Sequence, residues 1–182
     1  MPFGAELDAS GEVRFRLWAP AARAVELLLC DARGVGVHAA PMQAVAGGWF
    51  TLLTGAAGAG SLYRYRIDGT HEVPDPASRC NPHGVHGPSE VIDPTAYGWE
   101  DSDWRAPPWH AAVVYELHVG TFSAGGTYAS VAGRLGHLKR LGVSAIELMP
   151  VAAFPGTRTG ATTGSCRSRR RPPMAARRSS RR

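Results

Sequence analysis

An all-β sandwich of immunoglobulin-like type, followed by a strand–helix–strand unit, is the fold class this sequence predicts. Three observations lead there. Residues 1–95 hold several short apolar stretches punctuated by glycine and proline. Val113 to Val119 and Val143 to Val151 are near-continuous apolar runs, the pattern of strands covered on both faces of a parallel sheet. Between these runs, apolar residues recur at helical spacing.

In chain order, Glu12 to Trp18 alternates, with Val13, Phe15 and Leu17 on one face and Arg14, Arg16 and Trp18 on the other. Pro20 to Arg23 is a turn, and Ala24 to Cys30 is the next strand. His38–Val45, Gly48–Leu53 and Ser61–Asp68 follow as further strands. In the last of these, Leu62 and Ile67 do not share one clean face, so partial cover on both faces is expected. Gly55 to Gly60 is a loop by composition. Short strands at short spacing are the signature of a sandwich. Residues 70–110 are rich in proline, and 96–110 read as a linker. Trp18, Trp49, Tyr63 and Tyr65 can stack on the apolar faces of sugar rings or serve as core packing. His83 and His86 are three apart and can be read as metal ligands, but neither a third nor a fourth ligand is evident. A structural role among their glycines is the other reading.

The second half starts after Pro107-Pro108. Thr127 can cap a helix by accepting a first-turn N–H. Val131, Leu135, Leu138 and Leu141 then fall on one face, and Gly142 stands where a left-handed terminator belongs. Gly133 and Gly136 each weaken this helix by about 1 kcal/mol relative to Ala, so it depends on packing. Two parallel strands joined by a helix make a right-handed unit. Such a unit cannot bury its sheet alone, which marks 111–156 as the beginning of something larger.

Composition bounds the function. The formal charge of the 182 residues is +5, but nine arginines follow Phe154 while the last acid is Glu147. Removing those nine from the 20 basic residues leaves 11 against 15 acids, a net of −4 for residues 1–156. No run of ~18 apolar residues exists, so no membrane span is expected, and the N-terminus has no leader character. Cys30, Cys80 and Cys166 are odd in number and far apart, which suggests reduced thiols in a cytoplasm. No cofactor is implied.

Tyr115-Glu-Leu-His-Val-Gly-Thr-Phe122, a helix introduced by Gly126-Thr127, and Ile146-Glu-Leu-Met-Pro-Val151 together resemble the first two strands of the catalytic (β/α)8 barrel of the α-amylase superfamily. Phe15-Arg-Leu-Trp-Ala-Pro20 and Tyr63-Arg-Tyr-Arg-Ile-Asp-Gly69 are similar to the sandwich that precedes the barrel in branching enzymes, debranching enzymes and maltooligosyltrehalose trehalohydrolases. Val73 to Ser89, with Asn81-Pro-His-Gly-Val-His-Gly-Pro88, looks most like the trehalohydrolase branch. The resemblance implies a sandwich at 1–95, a linker at 96–110 and the start of a truncated barrel at 111–156. It also implies hydrolysis of an α-1,4 bond next to a terminal trehalose unit, with a maltooligosaccharide or α-glucan as substrate and neither nucleic acid nor membrane as partner. Family members are retaining glycosidases that use an aspartate nucleophile and a glutamate acid/base ~5 Å apart, and these sit on later strands. No catalytic residue is therefore expected in this chain. Glu116 and Glu147 match strand positions and are expected to be buried structural carboxylates or a barrel-bottom pair. His118, Phe122 and Phe154 follow strand ends, where barrel sites lie, and are the candidates for lining a substrate cleft. A debranching or branching fragment and a free-standing α-glucan-binding sandwich are the alternatives.

Residues 157–182 have no apolar periodicity and repelling charges, so disorder is expected. An arginine arm for phosphates is one reading. A frameshift is the other. Read one nucleotide upstream from Gly160 to Ser168, the code permits tryptophan, glycine, tyrosine, aspartate, glycine, valine, leucine, proline and phenylalanine, the next motif of the resembled family. A tyrosine-glycine-glycine-proline string is likewise permitted across Met174 to Arg177.

Overall fold

A computed structural model describes residues 3–151, and the chain divides into two compact units at the Trp104/Arg105 boundary. The first unit is a sandwich of two antiparallel sheets. One sheet has the order β1 (Gly4–Leu7), β2 (Val13–Trp18), β6 (Trp49–Thr54), β5 (Gln43–Val45). The other runs β4 (Gly36–Pro41), β3 (Val25–Cys30), β7 (Leu62–Ile67), β8 (His71–Val73), with the short β9 (Ser89–Glu90) also on β7.

The alternation in β2 is realised as read: Val13, Phe15 and Leu17 are buried, and Arg14 and Trp18 are exposed. They meet Val25 and Leu27 of β3 and Phe50 of β6 in one core cluster. β7 has the partial cover expected on both faces, with Leu62, Arg64, Arg66 and Ile67 half-buried, but its tyrosines are the most buried residues. Its inner face consists of Tyr63 and Tyr65, 1% and 0% exposed, with Ile67 packed against the same cluster. Phe15 meets Tyr63 edge-on at 4.9 Å, and Tyr63 meets Tyr65 at 5.8 Å.

A phenol can be buried only if its hydroxyl finds a partner. The partner is Asp75, itself 4% exposed. Tyr63 and Tyr65 donate to its Oδ2 at 2.7 and 3.3 Å, Ala77 N–H donates to its Oδ1 at 2.7 Å, and Asp75 N–H donates to Ser89 Oγ at 3.0 Å. Asp75 thus ties the proline-rich segment to β7 through its carboxylate and to β9 through its N–H.

The single strand expected at His38–Val45 is two strands in different sheets. Pro41 has no N–H to extend the ladder. The next residue, Met42, is buried and donates its N–H to Val25 O at 2.9 Å. The chain then passes to the opposite sheet as β5. The β7–β8 hairpin turns through Asp68-Gly69-Thr70, with Asp68 and Gly69 at positive φ (50° and 72°) and Thr70 N–H donating to Ile67 O at 3.1 Å. The Asp68 carboxylate accepts the Ala24 and Arg23 N–H groups, and those bonds hold it below the usual carboxylate range.

In the second unit β10 (Val114–Leu117) pairs in parallel with β11 (Ala145–Leu148). The helix expected between Thr127 and Gly142 is two short ones, α2 (Tyr128–Ala132) and α3 (Leu135–Arg140), and an unexpected turn of helix, α1 (Val119–Phe122), precedes them where the strand was read to end. The break falls at Gly133-Arg134, the first glycine of the weak stretch. It shifts the helical phase, so Val131 and Leu138 are buried while Leu135 and Leu141 are exposed. Burial on both strand faces is not observed either. Val114, Tyr115, Glu116, Glu147 and Leu148 are exposed, because the pair has no third strand among the described residues.

Burial first, then the Asp75 charge, pushes the Tyr63 and Tyr65 phenols far above the usual tyrosine range. Their protons are retained in the folded state and lost in the unfolded one above pH ~10. Stability should therefore be flat below pH ~10 and fall above it, with tyrosinate absorbance from these two residues appearing only as the sandwich unfolds. The check is denaturation monitored by Trp fluorescence and tyrosinate absorbance together across alkaline pH.

Candidate functional site

In the second unit the strand end expected to carry function is built by backbone geometry. His118 is the last extended residue after β10, with φ −99° and ψ 117°. Its carbonyl accepts the N–H groups of Thr121 and Phe122 at 3.1 and 3.0 Å, which turns the chain into α1. The imidazole lies close over Gly120, where an added Cβ would come within 3.0 Å of His118 Cε1. Both ring nitrogens are shielded from solvent without a hydrogen-bond partner among the described residues. Such a ring is ready to bond a hydroxyl or carbonyl, since either nitrogen can donate or accept according to tautomer.

Phe122 lies four residues on. It touches Tyr115 edge-on at 6.1 Å and packs against the cluster of Leu117, Val119, Val131 and Leu138. It therefore belongs partly to the core of this unit. Phe154 lies outside the described residues. The loop after Phe122 is closed by a reciprocal capping box: Ser130 N–H donates to Thr127 Oγ1 at 3.2 Å and Thr127 N–H donates to Ser130 Oγ at 3.0 Å. The cap at Thr127 was legible; the serine that completes it was not, because the usual third-position residue is Glu or Gln.

Glu116 and Glu147 correct the sequence reading. They are in register across the parallel pair and both exposed, not buried. Each is the penultimate residue of its strand, Glu116 of β10 and Glu147 of β11.

In the sandwich the four aromatics separate. Tyr63 and Tyr65 are core. Trp18 and Trp49 are partners across β2 and β6, on the outer face of their sheet. Trp18 is 59% exposed, and its Nε1–H donates to Gly47 O at 3.0 Å. Trp49 is stacked by Phe3 at 5.8 Å and an 8° angle, and the Arg16 guanidinium lies 5.1 Å from its ring centre. His83 and His86 are exposed; an added Cβ on Gly87 would come within 2.5 Å of His83 Cβ, and the His86 carbonyl accepts from Arg64 Nη2 at 3.0 Å. No group of three or more metal-ligating side chains is assembled among the described residues, and no described helix is long and apolar enough to cross a membrane.

Residues 2–96 match the family model of carbohydrate-binding module 48 (isoamylase N-terminal domain). The malto-oligosyltrehalose trehalohydrolase of Saccharolobus solfataricus is 45% identical over 156 residues, covering 86% of this chain and 27% of that protein. The enzyme of the same name from Rhizobium sp. is 40% identical over 157 residues, covering 86% and 26%. A 1,4-alpha-glucan branching enzyme of Streptomyces avermitilis is 34% identical over 154 residues, covering 78% and 26%. Among solved structures, a Salmonella typhimurium protein classed with the alpha amylases superposes with a TM-score of 0.78 at 39% identity, covering 90% of this chain and 29% of that one. The pullulanase of Paenibacillus barengoltzii, in complex with maltohexaose and α-cyclodextrin, gives 0.68 at 29% identity, covering 82% and 27%. The chain spans about a quarter of the length of the curated relatives it matches.

Replacing Thr127 by Ala should remove one half of the capping box at a cost of about 1 kcal/mol. Amide exchange should quicken at Tyr128–Ala132 and leave β2 and β7 unchanged.

Proposed function

The chain belongs to the carbohydrate-binding module 48 (isoamylase N-terminal domain) family, and from that membership we propose that it is the N-terminal part of a malto-oligosyltrehalose trehalohydrolase. The reaction on this reading is hydrolysis of the α-1,4-glucosidic bond that releases trehalose from maltooligosyltrehalose, in the cytoplasm. The observation that carries it is continuity. Relatives of one name align across 156 and 157 residues, through the sandwich, the proline-rich segment and the parallel strand pair together.

Residues 1–95 then form the sandwich, 96–110 the linker and 111–156 the first β-α-β part of a (β/α)8 barrel. Residues 157–182 lie outside the described residues; for them the frameshift reading is retained. His118, Phe122 and Phe154 would line the substrate cleft, since barrel sites form at the C-terminal strand ends. The imidazole of His118 would hydrogen-bond a sugar hydroxyl, and the aromatic rings would meet apolar sugar faces. A retaining glycosidase needs a nucleophile and an acid/base ~5 Å apart at such strand ends. The resemblance places that pair on later barrel strands, beyond the two described here, so this chain by itself is non-catalytic. The branching-enzyme likeness at 34% identity supports a second reading, a fragment of an enzyme that remodels glycogen.

The test is trehalose release from maltooligosyltrehalose by the purified 182-residue chain, beside a version whose frame is restored by one nucleotide after Thr157. The short chain should give no turnover and the restored version should turn over. Activity in the short chain would overturn the fragment reading. A folded but inactive restored version would overturn the family reaction.

A further inference from the structure

We propose that the uncovered face and the two open edges of the β10–β11 pair are a docking surface for a separate polypeptide, one that carries the remaining strands of a parallel barrel and brings a basic side chain onto Glu116 and Glu147. This rests on the reading above and adds that the barrel can close between two chains.

The backbone phase comes first. Ala145 N–H donates to Val113 O at 3.1 Å, and Met149 N–H donates to Leu117 O at 3.0 Å. In a parallel ladder such bonds are evenly spaced along the strand, so Val113, Tyr115 and Leu117 turn their backbone groups to β11. Val114 and Glu116 therefore direct N–H and C=O to one open edge. By the same alternation Ile146 and Leu148 direct theirs to the other. Neither edge is paired among the described residues. A partner that satisfies both must supply two strands, one on each side of the pair.

The faces differ. Side chains alternate along a strand. Leu117 and Ile146 pack in the cluster with Val131 and Leu138 of the helices, and Tyr115 meets Phe122 of α1. That face is covered from within the unit. On the other face Val114 is 44% exposed, and Glu116 and Glu147 are exposed as well.

Charge then narrows the partner. Glu116 stands opposite Glu147 in the register, and adjacent strands lie about 4.8 Å apart. Neither carboxylate is ion-paired among the described residues. Like charges placed opposite each other repel, and a purely apolar cover would bury both without a counter-charge. A lysine or arginine reaching between them removes both penalties. A second copy docked face to face would instead bring two more carboxylates to the same place. The Saccharolobus solfataricus relative matches this chain over 27% of its own length, so about three-quarters of it lies outside the match and is long enough to supply the cover.

The test co-expresses the tagged 182-residue chain with that unmatched part of the Saccharolobus solfataricus relative. The tag should capture it at one to one. Glu116→Lys and Glu147→Lys should each cut capture by about tenfold or more, the scale of reversing one partner of a covered charge pair. Glu72→Lys in the sandwich should leave capture unchanged. All three residues are exposed, and matching thermal melts would show that the variants fold. In the chain alone, the amides of Val114, Glu116, Ile146 and Leu148 should exchange quickly, and in the complex slowly. Four results would each overturn the proposal: an unmatched part that is insoluble with the chain as without it, no capture of a soluble one, capture undiminished by both strand variants or lost equally on Glu72→Lys, or slow exchange at those four amides in the chain alone, where a second copy or the arginines of 157–182 would be the cover. Turnover by the frame-restored single chain does not depend on docking in trans, so it judges the parent reading separately.

Discussion

The buried carboxylate of Asp75 is the constraint on which the sandwich depends. Two phenols, 1% and 0% exposed, would each lose on the order of 1–3 kcal/mol if their hydroxyls were left without an acceptor. Asp75 accepts both, and its own backbone and second oxygen are tied to Ser89 and Ala77. Gly4 of β1 also packs here: a Cβ at that position would stand 3.5 Å from Asp75 Oδ2 and 3.1 Å from Ala77 O. The N-terminal strand, the central strand of the second sheet and the proline-rich segment therefore converge on one side chain.

That convergence decides what each sheet shows to solvent. With Tyr63 and Tyr65 turned inward, β7 presents Arg64 and Arg66 outward, and Arg66 pairs with Glu26 at 2.8 Å. That hydrogen bond holds the Glu26 carboxyl below its usual range. The outer face of this sheet is charged and poor in aromatics. The opposite sheet keeps Val13, Phe15 and Leu17 inward, so its alternation sends Arg14, Arg16 and Trp18 out. A difference in composition between the two outer faces follows from strand parity alone, because a side chain two residues away returns to the same face.

The same parity explains what could be read in advance. β2 was legible because apolar and charged residues alternate without exception between Val13 and Trp18. β7 was not, because its inner residues are tyrosines, whose placement is settled by an acceptor at Asp75, ten and twelve residues away, and no local pattern announces it. The switch of sheets at Met42 was hidden for a similar reason: Pro41 ends one ladder, and nothing local says that the next pairing partner is β6. In the second unit the apolar run placed the strand but carried it to Val119, two residues past its end at Leu117, and the helix between the two strands was drawn too long. There the cost of Gly133 outweighed a regular apolar spacing, and Leu135 and Leu141 went to solvent. The strand pair was read as buried because its composition is that of a covered parallel sheet; the sequence states the requirement for cover, and the described residues satisfy it on one side only.

The most direct measurement is a double-mutant cycle between Asp75 and Tyr63, using Asp75→Ala, Tyr63→Phe and the pair, followed by urea unfolding. If the carboxylate is the acceptor that makes the buried phenol tolerable, the single losses should not add. The pair should be more stable than their sum predicts by about 1 kcal/mol or more. Simple additivity, or an Asp75→Ala variant as stable as wild type, would contradict the account and return the core's stability to apolar packing alone.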